Sequence, residues 1–333
     1  MRACHLYDGA VKVLVYGAGV IGTLYAARLQ QAGHQVTVLA RSPRLEAIQR
    51  NGLVLEDVVS GARSATHVAI ADRLSSEDSY DLALIAVRWE QLSNIMPGLA
   101  QNGNIPTVLF MLNNPRGSAP LVEALGADRV LLGFSGVGGA IERDVVRYAV
   151  IAQQPTTLGG PNGNQTARVR SLAKVFRAAG FRTRIDNDMD AWLSSHAFFV
   201  TSVSGAIYLA GGDCERVSRS QPLLELMVNG VREGFHALRV LGQPVHPFAL
   251  KVLFTWLPRP FAVHYWHRFF SNSVAEWVFA RHSRNAAAEM RALAAECRLL
   301  LQRSGAGAAA LNQLYRAIDD YAAAHEQHLP SAG

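Results

Sequence analysis

The sequence has few cysteines and no block of like charges. Cys4, Cys214 and Cys297 are its only cysteines, and their wide spacing excludes a disulfide framework and a cysteine-based zinc site. The net charge is +6, but basic and acidic residues alternate and no basic arm occurs. This balance favours an anionic cofactor or substrate over nucleic acid. We expect a protein of the reducing cytoplasm with no bound metal.

The sequence also lacks clear membrane signals. Residues 1–10 (MRACHLYDGA) contain no apolar core of the kind that signal peptides have. Residues 193–212 carry no Asp, Glu, Lys or Arg and are long enough to span a bilayer. Their Ser, Thr and His content favours a buried helix, and we expect no membrane partner. Membrane association through this stretch is the alternative.

The length and the patterning predict two domains. A chain of 333 residues that is 50% hydrophobic can form two cores, and it shows no internal repeat. Residues 1–186 alternate short β-branched runs with helical patterns, which is typical of a doubly wound parallel sheet. Residues 187–333 show long helical patterns without strand alternation. The predicted fold class is therefore an α/β Rossmann-type domain followed by an all-α domain.

A glycine-rich turn follows the first predicted strand, residues 11–15. Gly17 permits a sharp turn, Gly19 lets a pyrophosphate approach the backbone, and Gly22 lets the next helix pack closely on the strand. The helix directs its first N–H groups and its positive dipole end at the phosphates. The predicted dinucleotide-binding residues here are Gly17, Ala18, Gly19, Val20, Ile21 and Gly22. The alternative is an ordinary βα turn that binds nothing.

An arginine stands where NAD-binding sites place an acid. The predicted second strand covers residues 35–40. Arg41 comes directly after it, and Arg44 follows three residues later. An Asp or Glu at this point would bind the ribose 2′-hydroxyl, whereas a cation can bind a 2′-phosphate. The sequence therefore predicts NADP as the cofactor. The alternative is that both arginines are solvated charges at a helix start.

Other predicted strands also end at candidate ligand-binding positions. The predicted buried strand of residues 82–87 ends with Val87, and Arg88 lies just past it. Asn113 follows the next predicted strand, residues 107–112. Residues 133–139 (GFSGVGG) are predicted to form a loop that approaches ligand, because they are too rich in glycine for a strand interior. Residues 52–70, with a turn at Ser60 and Gly61, predict a hairpin at the edge of the sheet.

The second domain is predicted to be helical. Residues 188–209 are apolar on almost every side, as expected of a helix through the middle of a domain. Residues 244–270 combine several prolines with many aromatic residues and predict either core or a contact between subunits of a homodimer. His264 and His267 have helical spacing for a metal, but no third ligand is evident.

Given these residues, the chain resembles the ketopantoate reductase family. The likeness covers nearly the whole length and is strongest over residues 13–53, which include the glycine turn, Gly33-His34 and Arg41. The resemblance implies an NADP-dependent reductase with a Rossmann domain and a helical domain. It also implies that Arg88 is the basic residue after the fourth strand, that Asn113 lies beside the nicotinamide, and that Glu289 binds substrate. Asn114 replaces a family Gly.

The catalytic helix departs from the family pattern of Trp-x-Lys followed by Asn four and eight residues later. With Trp192 as the anchor, Ser194 takes the Lys position, and Phe198 and Ser202 take those of the two Asn residues. Serine is a poor proton donor at neutral pH, and losing a general acid costs about 10²- to 10⁴-fold in rate. His196 is an alternative acid if the helix is rotated or broken.

These observations lead to one functional hypothesis and one alternative. The hypothesis is an enzyme that transfers hydride between NADPH and a small carbonyl substrate, a 2-oxo acid or ketone, in a cleft between the domains. Ser194, His196, Glu289 and Asn113 are the predicted catalytic residues, and Phe198 suggests an apolar substrate. The alternative is a catalytically inactive NADP-binding regulator or partner protein.

Overall fold

The computed structural model describes residue 7, residues 9–163 and residues 166–326. Cys4 lies outside these residues, as do Asn164 and Gln165, which the sequence assigns to a turn and a helix start. The chain forms two compact units. The first consists of Met1–Leu112 and Gly117–Asp190, and the second of Asn113–Arg116 and Ala191–Gly333. The short segment Asn113–Arg116 thus belongs to the second unit although the first surrounds it in sequence.

The first unit alternates strands and helices along most of its length. Its strands are β1 Lys12–Tyr16, β2 Gln35–Leu39, β3 Leu53–Asp57, β4 Arg63–Thr66, β5 Ala69–Ala71, β6 Leu82–Ile85, β7 Val108–Met111, β8 Val130–Phe134, β9 Val137–Glu142, β10 Val145–Val150, β11 Thr156–Gly159 and β12 Thr183–Ile185. Its helices are α1 Val20–Gln31, α2 Arg44–Asn51, α3 Leu92–Gln101, α4 Ala119–Leu125 and α5 Ala167–Ala178. Short 3₁₀ turns cover Trp89–Gln91 and Pro161–Gly163.

The larger sheet has the order β12-β11-β8-β7-β6-β1-β2-β5. From β8 to β5 neighbouring strands are parallel, and β11 runs antiparallel to β8. Val13, Leu14 and Val15 in β1 are at most 1% exposed, as expected for a parallel strand that is covered on both faces. The strand order changes direction at β1, and ligands of such sheets bind at the carboxyl ends of the strands near this point. The predicted Rossmann-type fold is confirmed.

The hairpin of residues 52–70 does not extend the edge of the larger sheet. Strands β3 and β4 pair antiparallel, but they belong to a separate sheet with the order β4-β3-β10-β9. Only β5 joins the larger sheet from this region, alongside β2. The prediction of an edge hairpin was therefore wrong about its partner, because β10, which is remote in sequence, pairs with β3.

The glycine-rich residues 133–139 are largely strand and not the predicted loop. Gly133 lies in β8, and a Cβ on it would be 2.6 Å from Met111 Sδ. Gly139 lies in β9, and a Cβ there would be 2.2 Å from the Arg147 carbonyl oxygen. These glycines permit close strand packing, which a count of glycines cannot distinguish from loop flexibility.

The regular elements described in the second unit are helices, the first of which begins at the end of the first unit. They are α6 Met189–Leu209, α7 Cys214–Arg219, α8 Gln221–Val240, α9 Phe248–Lys251, α10 Arg259–Phe270, α11 Ser273–Ala275, α12 Arg281–Asn285, α13 Ala287–Ser304 and α14 Ala309–Glu326. Single π-helical turns cover Val252–Trp256 and Glu276–Ala280. Helix α6 is buried almost throughout, which confirms the predicted buried helix. None of the described helices has the length and apolarity needed to cross a bilayer.

Residues 244–270 are partly core and partly surface. Phe254, Trp266 and Phe270 are buried, and their rings contact one another or Phe199. Other aromatic side chains of the same segment are exposed, among them Trp256 and Phe261. The predicted core role is confirmed for the buried subset. Among the described residues no group of His, Cys, Asp and Glu is arranged to hold a metal.

Candidate functional site

The three glycines of the first βα turn differ in what surrounds them. Gly17 has φ +108°, and a Cβ on it would be 2.6 Å from the Ala86 carbonyl oxygen and 3.2 Å from Val87 Cγ1. A Cβ on Gly22 would be 1.9 Å from the Gly17 carbonyl oxygen. A Cβ on Gly19, in contrast, would meet nothing within 4 Å among the described residues. Two glycines therefore let the turn close, and the third presents bare backbone to open space.

Gly19 is also the N-cap of α1, and no described side chain caps the helix there. The first turn of α1 contains no acidic residue. Val20 and Ile21 open the helix and are half-buried against the core of the first unit. The first N–H groups of α1 thus form a positively polarised end beside the space at Gly19, which suits a phosphate.

Arg41 and Arg44 have different environments. Arg41 follows β2 at the carboxyl edge of the sheet, and its side chain is exposed. Arg44 donates hydrogen bonds from Nε to the Ala18 carbonyl oxygen (3.3 Å) and from Nη1 to the Asp144 carbonyl oxygen (2.8 Å). Burial lowers the pKa of Arg44, an effect that nearby Asp144 partly offsets. Arg44 therefore fastens the glycine turn, and Arg41 is the cation at this edge that projects into solvent.

Arg88 follows β6 after Ala86 and Val87 and is exposed. Its backbone N–H donates to Gln91 Oε1 at 3.3 Å, at the start of the 3₁₀ turn.

Ala18 is held from two sides, because its carbonyl oxygen accepts from Thr23 Oγ1 (3.1 Å) as well as from Arg44. The predicted cofactor residues of the first unit thus lie at or just after the carboxyl ends of β1, β2 and β6.

Asn113 and Glu289 form a buried polar pair within the second unit. Asn113 Nδ2 donates to Glu289 Oε1 at 2.9 Å, and the two residues are 7% and 5% exposed. Asn113 Oδ1 is buried with no hydrogen-bond partner among the described residues. A buried acceptor without a donor is costly, and such atoms are commonly satisfied by a ligand or an ordered water.

The segment Asn113–Arg116 is fastened to α13 at two points. Besides the Asn113 contact, Arg116 makes a two-pronged ion pair with Glu296, from Nε to Oε2 (2.8 Å) and from Nη2 to Oε1 (2.5 Å). This hydrogen bonding raises the pKa of Arg116. Glu289 and Glu296 stand two turns apart on one face of α13. Arg116 and Glu296 were not predicted as site residues. The seven-residue spacing of Glu289 and Glu296 places both on one face of α13, where they can bind the same segment.

Ser194 also contacts this segment. Its hydroxyl donates to the Pro115 carbonyl oxygen at 3.4 Å, and the side chain is 4% exposed. Ser194 thus contacts the chain two residues after Asn113. The structure brings Ser194, Asn113 and Glu289 into one network around the Asn113–Arg116 segment.

His196 is a buried, neutral residue. Its ring stacks on Trp192 with a centroid distance of 5.1 Å, and it lies near His282. Burial, with a smaller contribution from the charge of His282, lowers the pKa of His196 from 6.5 to about 3. An imidazolium at this position is therefore absent at neutral pH.

Phe198 and Ser202 do not line a substrate surface. Phe198 is fully buried and packs on Gly234 of α8. Ser202 Oγ donates to the Phe198 carbonyl oxygen at 2.7 Å, and a Cβ on Gly230 of α8 would be 3.1 Å from this Oγ. Phe198 therefore belongs to the core where α6 packs on α8, and its position gives no support to the prediction of an apolar substrate.

No lysine replaces the one that the family pattern places on this helix. The lysines of the sequence are Lys12 in β1, Lys174 in α5 and Lys251 in α9. Lys251 lies over the ring of Trp256, with Nζ 5.6 Å from the ring centroid. Of the polar side chains on α6, Ser194 contacts Pro115, and the neutral His196 stacks on Trp192.

Comparisons with known proteins agree on one family. Residues 13–163 match the family model described as ketopantoate reductase PanE/ApbA. The 2-dehydropantoate 2-reductase of Halobacterium salinarum is 26% identical over 237 residues, which cover 71% of this chain and 77% of that protein. Sequence similarity therefore extends from the first unit into the second.

Solved structures share the fold along nearly the whole chain. A PanE/ApbA family ketopantoate reductase from Ralstonia eutropha has a TM-score of 0.73 and 19% identity, and the match covers 95% of this chain and 100% of that one. D-mandelate dehydrogenase, solved with NADH and anilino(oxo)acetate, has a TM-score of 0.76 and 13% identity over 95% of this chain and 99% of that one. Residues 13–163 therefore resemble the ketopantoate reductase family in sequence, and the chain shares the fold of these enzymes along nearly its whole length.

Proposed function

We propose that the protein is an NADPH-dependent reductase of a small carbonyl substrate, a 2-oxo acid or a ketone. The observation that carries this proposal is the glycine turn, in which Gly17 and Gly22 are enclosed and Gly19 faces open space at the N-terminus of α1. A turn that only joined a strand to a helix would not need a bare backbone at Gly19. A dinucleotide pyrophosphate fits both the space and the polarity of this helix end.

The choice of NADPH over NADH rests on Arg41. This arginine takes the place of the acid that would bind a ribose 2′-hydroxyl, and its side chain is exposed where a 2′-phosphate would be held. Arg44 supports the turn through the Ala18 carbonyl oxygen, which leaves Arg41 to bind the extra phosphate. Arg88, also exposed at the carboxyl edge of the sheet, is a second basic group for the cofactor.

The substrate contacts that we propose are Asn113 and Glu289. Asn113 Oδ1 has its acceptor capacity unused, so it suits an N–H or O–H donor on the cofactor amide or on the substrate. Glu289 accepts from Asn113 and keeps further acceptor positions for a substrate hydroxyl. Ser194 acts as a positioning residue, because its hydroxyl holds the Pro115 carbonyl oxygen two residues after Asn113.

NADPH, when bound, would supply the hydride that reduces the carbonyl carbon, and the carbonyl oxygen would need one proton from the protein or from water. The protein has no lysine on α6 for this proton transfer, and His196 is neutral at pH 7. We therefore infer that water delivers the proton and that turnover is slow, by about 10²- to 10⁴-fold relative to a reductase with a positioned acid. Related expectations from sequence, a cytoplasmic location and a homodimer through the helical unit, stay predictions.

The test combines cofactor binding with turnover. NADPH fluorescence measures binding. Turnover is followed as the loss of absorbance of the reduced nicotinamide with a panel of 2-oxo acids and ketones. The panel varies chain length and branching, because one methylene group changes specificity by about 10- to 200-fold. We expect NADPH to bind more tightly than NADH and one panel class to be reduced. Tight NADPH binding without turnover of any compound would favour the alternative, a non-catalytic NADP-binding regulator.

A matched pair of variants tests the glycine turn itself. Gly19→Ala places a methyl group in open space and leaves the fold intact, but it blocks phosphate approach. Gly98→Ala in α3 also meets nothing within 4 Å and is the control. We expect NADPH binding to weaken about tenfold or more in Gly19→Ala only. Equal binding by the two variants would contradict the proposed site.

A further inference from the structure

Helix α10 presents an exposed stripe of aromatic and basic side chains. Its buried residues Ala262, Trp266 and Phe270 lie on one face, and the helix packs against α7 and α8. The opposite face carries, at helical spacing, Phe261, His264, Tyr265 and Arg268, all of which are exposed. Phe261 is 62% exposed and Tyr265 41%. A helix in a water-soluble unit ordinarily places its large apolar side chains on the inner face only.

The preceding π-helical turn, Val252–Trp256, contacts α10 and adds a further exposed ring. Trp256 is 58% exposed, and its ring meets that of Phe248, which is 60% exposed, edge-on at 5.3 Å. Lys251 lies over the ring of Trp256, and Arg259 follows at the start of α10. We call these side chains together the basic aromatic surface: Phe248, Lys251, Trp256, Leu257, Arg259, Phe261, Tyr265 and Arg268.

The charge around this surface has one sign. From Gly234 to Ala275 the sequence contains no Asp or Glu, whereas Arg239, Lys251, Arg259 and Arg268 are all within that stretch. Glu225 of α8 lines the same groove beside α10 as Arg259, and it accepts a hydrogen bond from Gln221 Nε2 (3.0 Å). The exposed apolar rings are thus flanked by cations on their own segment.

We propose that the basic aromatic surface docks the protein onto a membrane whose lipids carry negative charge. Trp and Tyr are favoured at the membrane–water interface, and each Lys or Arg near an anionic leaflet adds attraction. Contiguous exposed apolar side chains mark interaction sites in soluble proteins. This proposal departs from the sequence-based expectation of no membrane partner, and it does not involve the largely buried residues 193–212. The docking is peripheral, because none of the described helices is suited to span a bilayer.

A second copy of the chain fits this surface less well. In a two-fold symmetric contact the basic aromatic surfaces of two copies meet each other. Arg259 and Arg268 of one copy would then lie near the Arg259 and Arg268 side chains of the other copy. Like charges brought together in this way repel, and no acidic residue of the segment offsets them. An anionic lipid surface supplies the missing counter-charge and accepts the aromatic rings.

The test is co-sedimentation of the full chain with vesicles. Vesicles of phosphatidylcholine with phosphatidylserine are compared with vesicles of phosphatidylcholine alone, at low and high salt. We expect binding only to the anionic vesicles and weaker binding at high salt. Arg259→Gln with Arg268→Gln should weaken this binding about tenfold or more. The control Arg316→Gln, an exposed arginine of α14, should not.

The aromatic contribution is tested separately. Trp256→Ser with Phe261→Ser should also reduce binding about tenfold or more, whereas Leu299→Ser, an equally exposed apolar residue of α13, should leave it unchanged. Circular dichroism confirms that each variant is folded. The proposal is overturned if the wild-type chain ignores anionic vesicles. It is equally overturned if the surface variants bind them like the wild type, or if the aromatic variant only dissociates a dimer.

Discussion

Phe198 of α6 packs so tightly on Gly234 of α8 that a Cβ added to Gly234 would lie 2.4 Å from Phe198 Cδ1. Phe198 stands where the family pattern has a catalytic asparagine, and here it belongs to the core. We therefore expect Gly234→Ala to lower the free energy of unfolding by about 1–3 kcal/mol, because overpacking forces neighbours apart.

Urea unfolding measures this effect, with Gly98→Ala as the control, since Gly98 has open space around it. Phe198→Asn should also destabilise the protein without raising turnover, because the amide would be buried against Gly234 of α8. An active, stable Phe198→Asn variant would mean that this face of α6 reaches the substrate.

Arg41 and Arg44 should differ in what their removal changes. Arg41→Ala is expected to reduce the preference for NADPH over NADH about tenfold, since an exposed cation that binds a 2′-phosphate is lost. Arg44→Ala should weaken both cofactors together, because it releases the Ala18 and Asp144 carbonyl oxygens that hold the turn. Fluorescence titration with both cofactors makes the comparison. Identical effects of the two variants on selectivity would refute this division of roles.

Glu289 and Asn113 should respond to substitution as one unit. Glu289→Ala removes the oxygen that accepts from Asn113 Nδ2, and we expect the catalytic efficiency to fall about 10- to 100-fold. Asn113→Ala should give a similar loss, and the double variant little more, because the partners are coupled. Steady-state kinetics with the best panel substrate checks this. Additive losses would show that the two side chains act independently.

Stability should depend on pH through His196. Its pKa falls from 6.5 to about 3 on folding, so between these values the unfolded chain binds more protons than the folded one. The free energy of unfolding contributed by this group is therefore fully present above pH 6.5 and is lost as pH falls towards 3.

His196→Phe should flatten this part of the profile, whereas His236→Phe, at an exposed position of α8, should not. Chemical unfolding at several pH values between 4.5 and 7 gives the slope, which one fully shifted histidine sets at about 1.4 kcal/mol per pH unit. An unchanged slope in His196→Phe would show that His196 is hydrated in the folded state.

The parts of the fold that depend on local pattern were predictable. The buried run of β1 and the three glycines predicted a strand, a turn and a helix, and the structure contains them at Lys12–Tyr16 and Val20–Gln31. The apolar composition of residues 193–212 likewise predicted a buried helix. In both cases the signal lies within one stretch of sequence, and no distant partner is needed to interpret it.

The errors arose where distant residues decide the outcome. Gly133 and Gly139 are strand residues because Met111 and Arg147 leave no room for a side chain, and neither neighbour is evident from the sequence. Strand β3 pairs with β10 across a long sequence separation. In the candidate site, the family resemblance pointed to Glu289, but its contact with Asn113 and the parallel contact of Glu296 with Arg116 depend on residues far apart in sequence.

The assignment of Asn113–Arg116 to the second unit limits how this gene can be divided. A fragment that starts at Ala191 would lack the four residues that bond Glu289, Ser194 and Glu296, and it would leave two glutamates of α13 without their native donors. The complementary fragment would keep Asn113–Arg116 but lose the side chains of α6 and α13 that bond it. We therefore expect separately expressed halves, or chimaeras with halves of related reductases, to misfold or aggregate unless Asn113–Arg116 and α13 come from the same protein and stay in one chain.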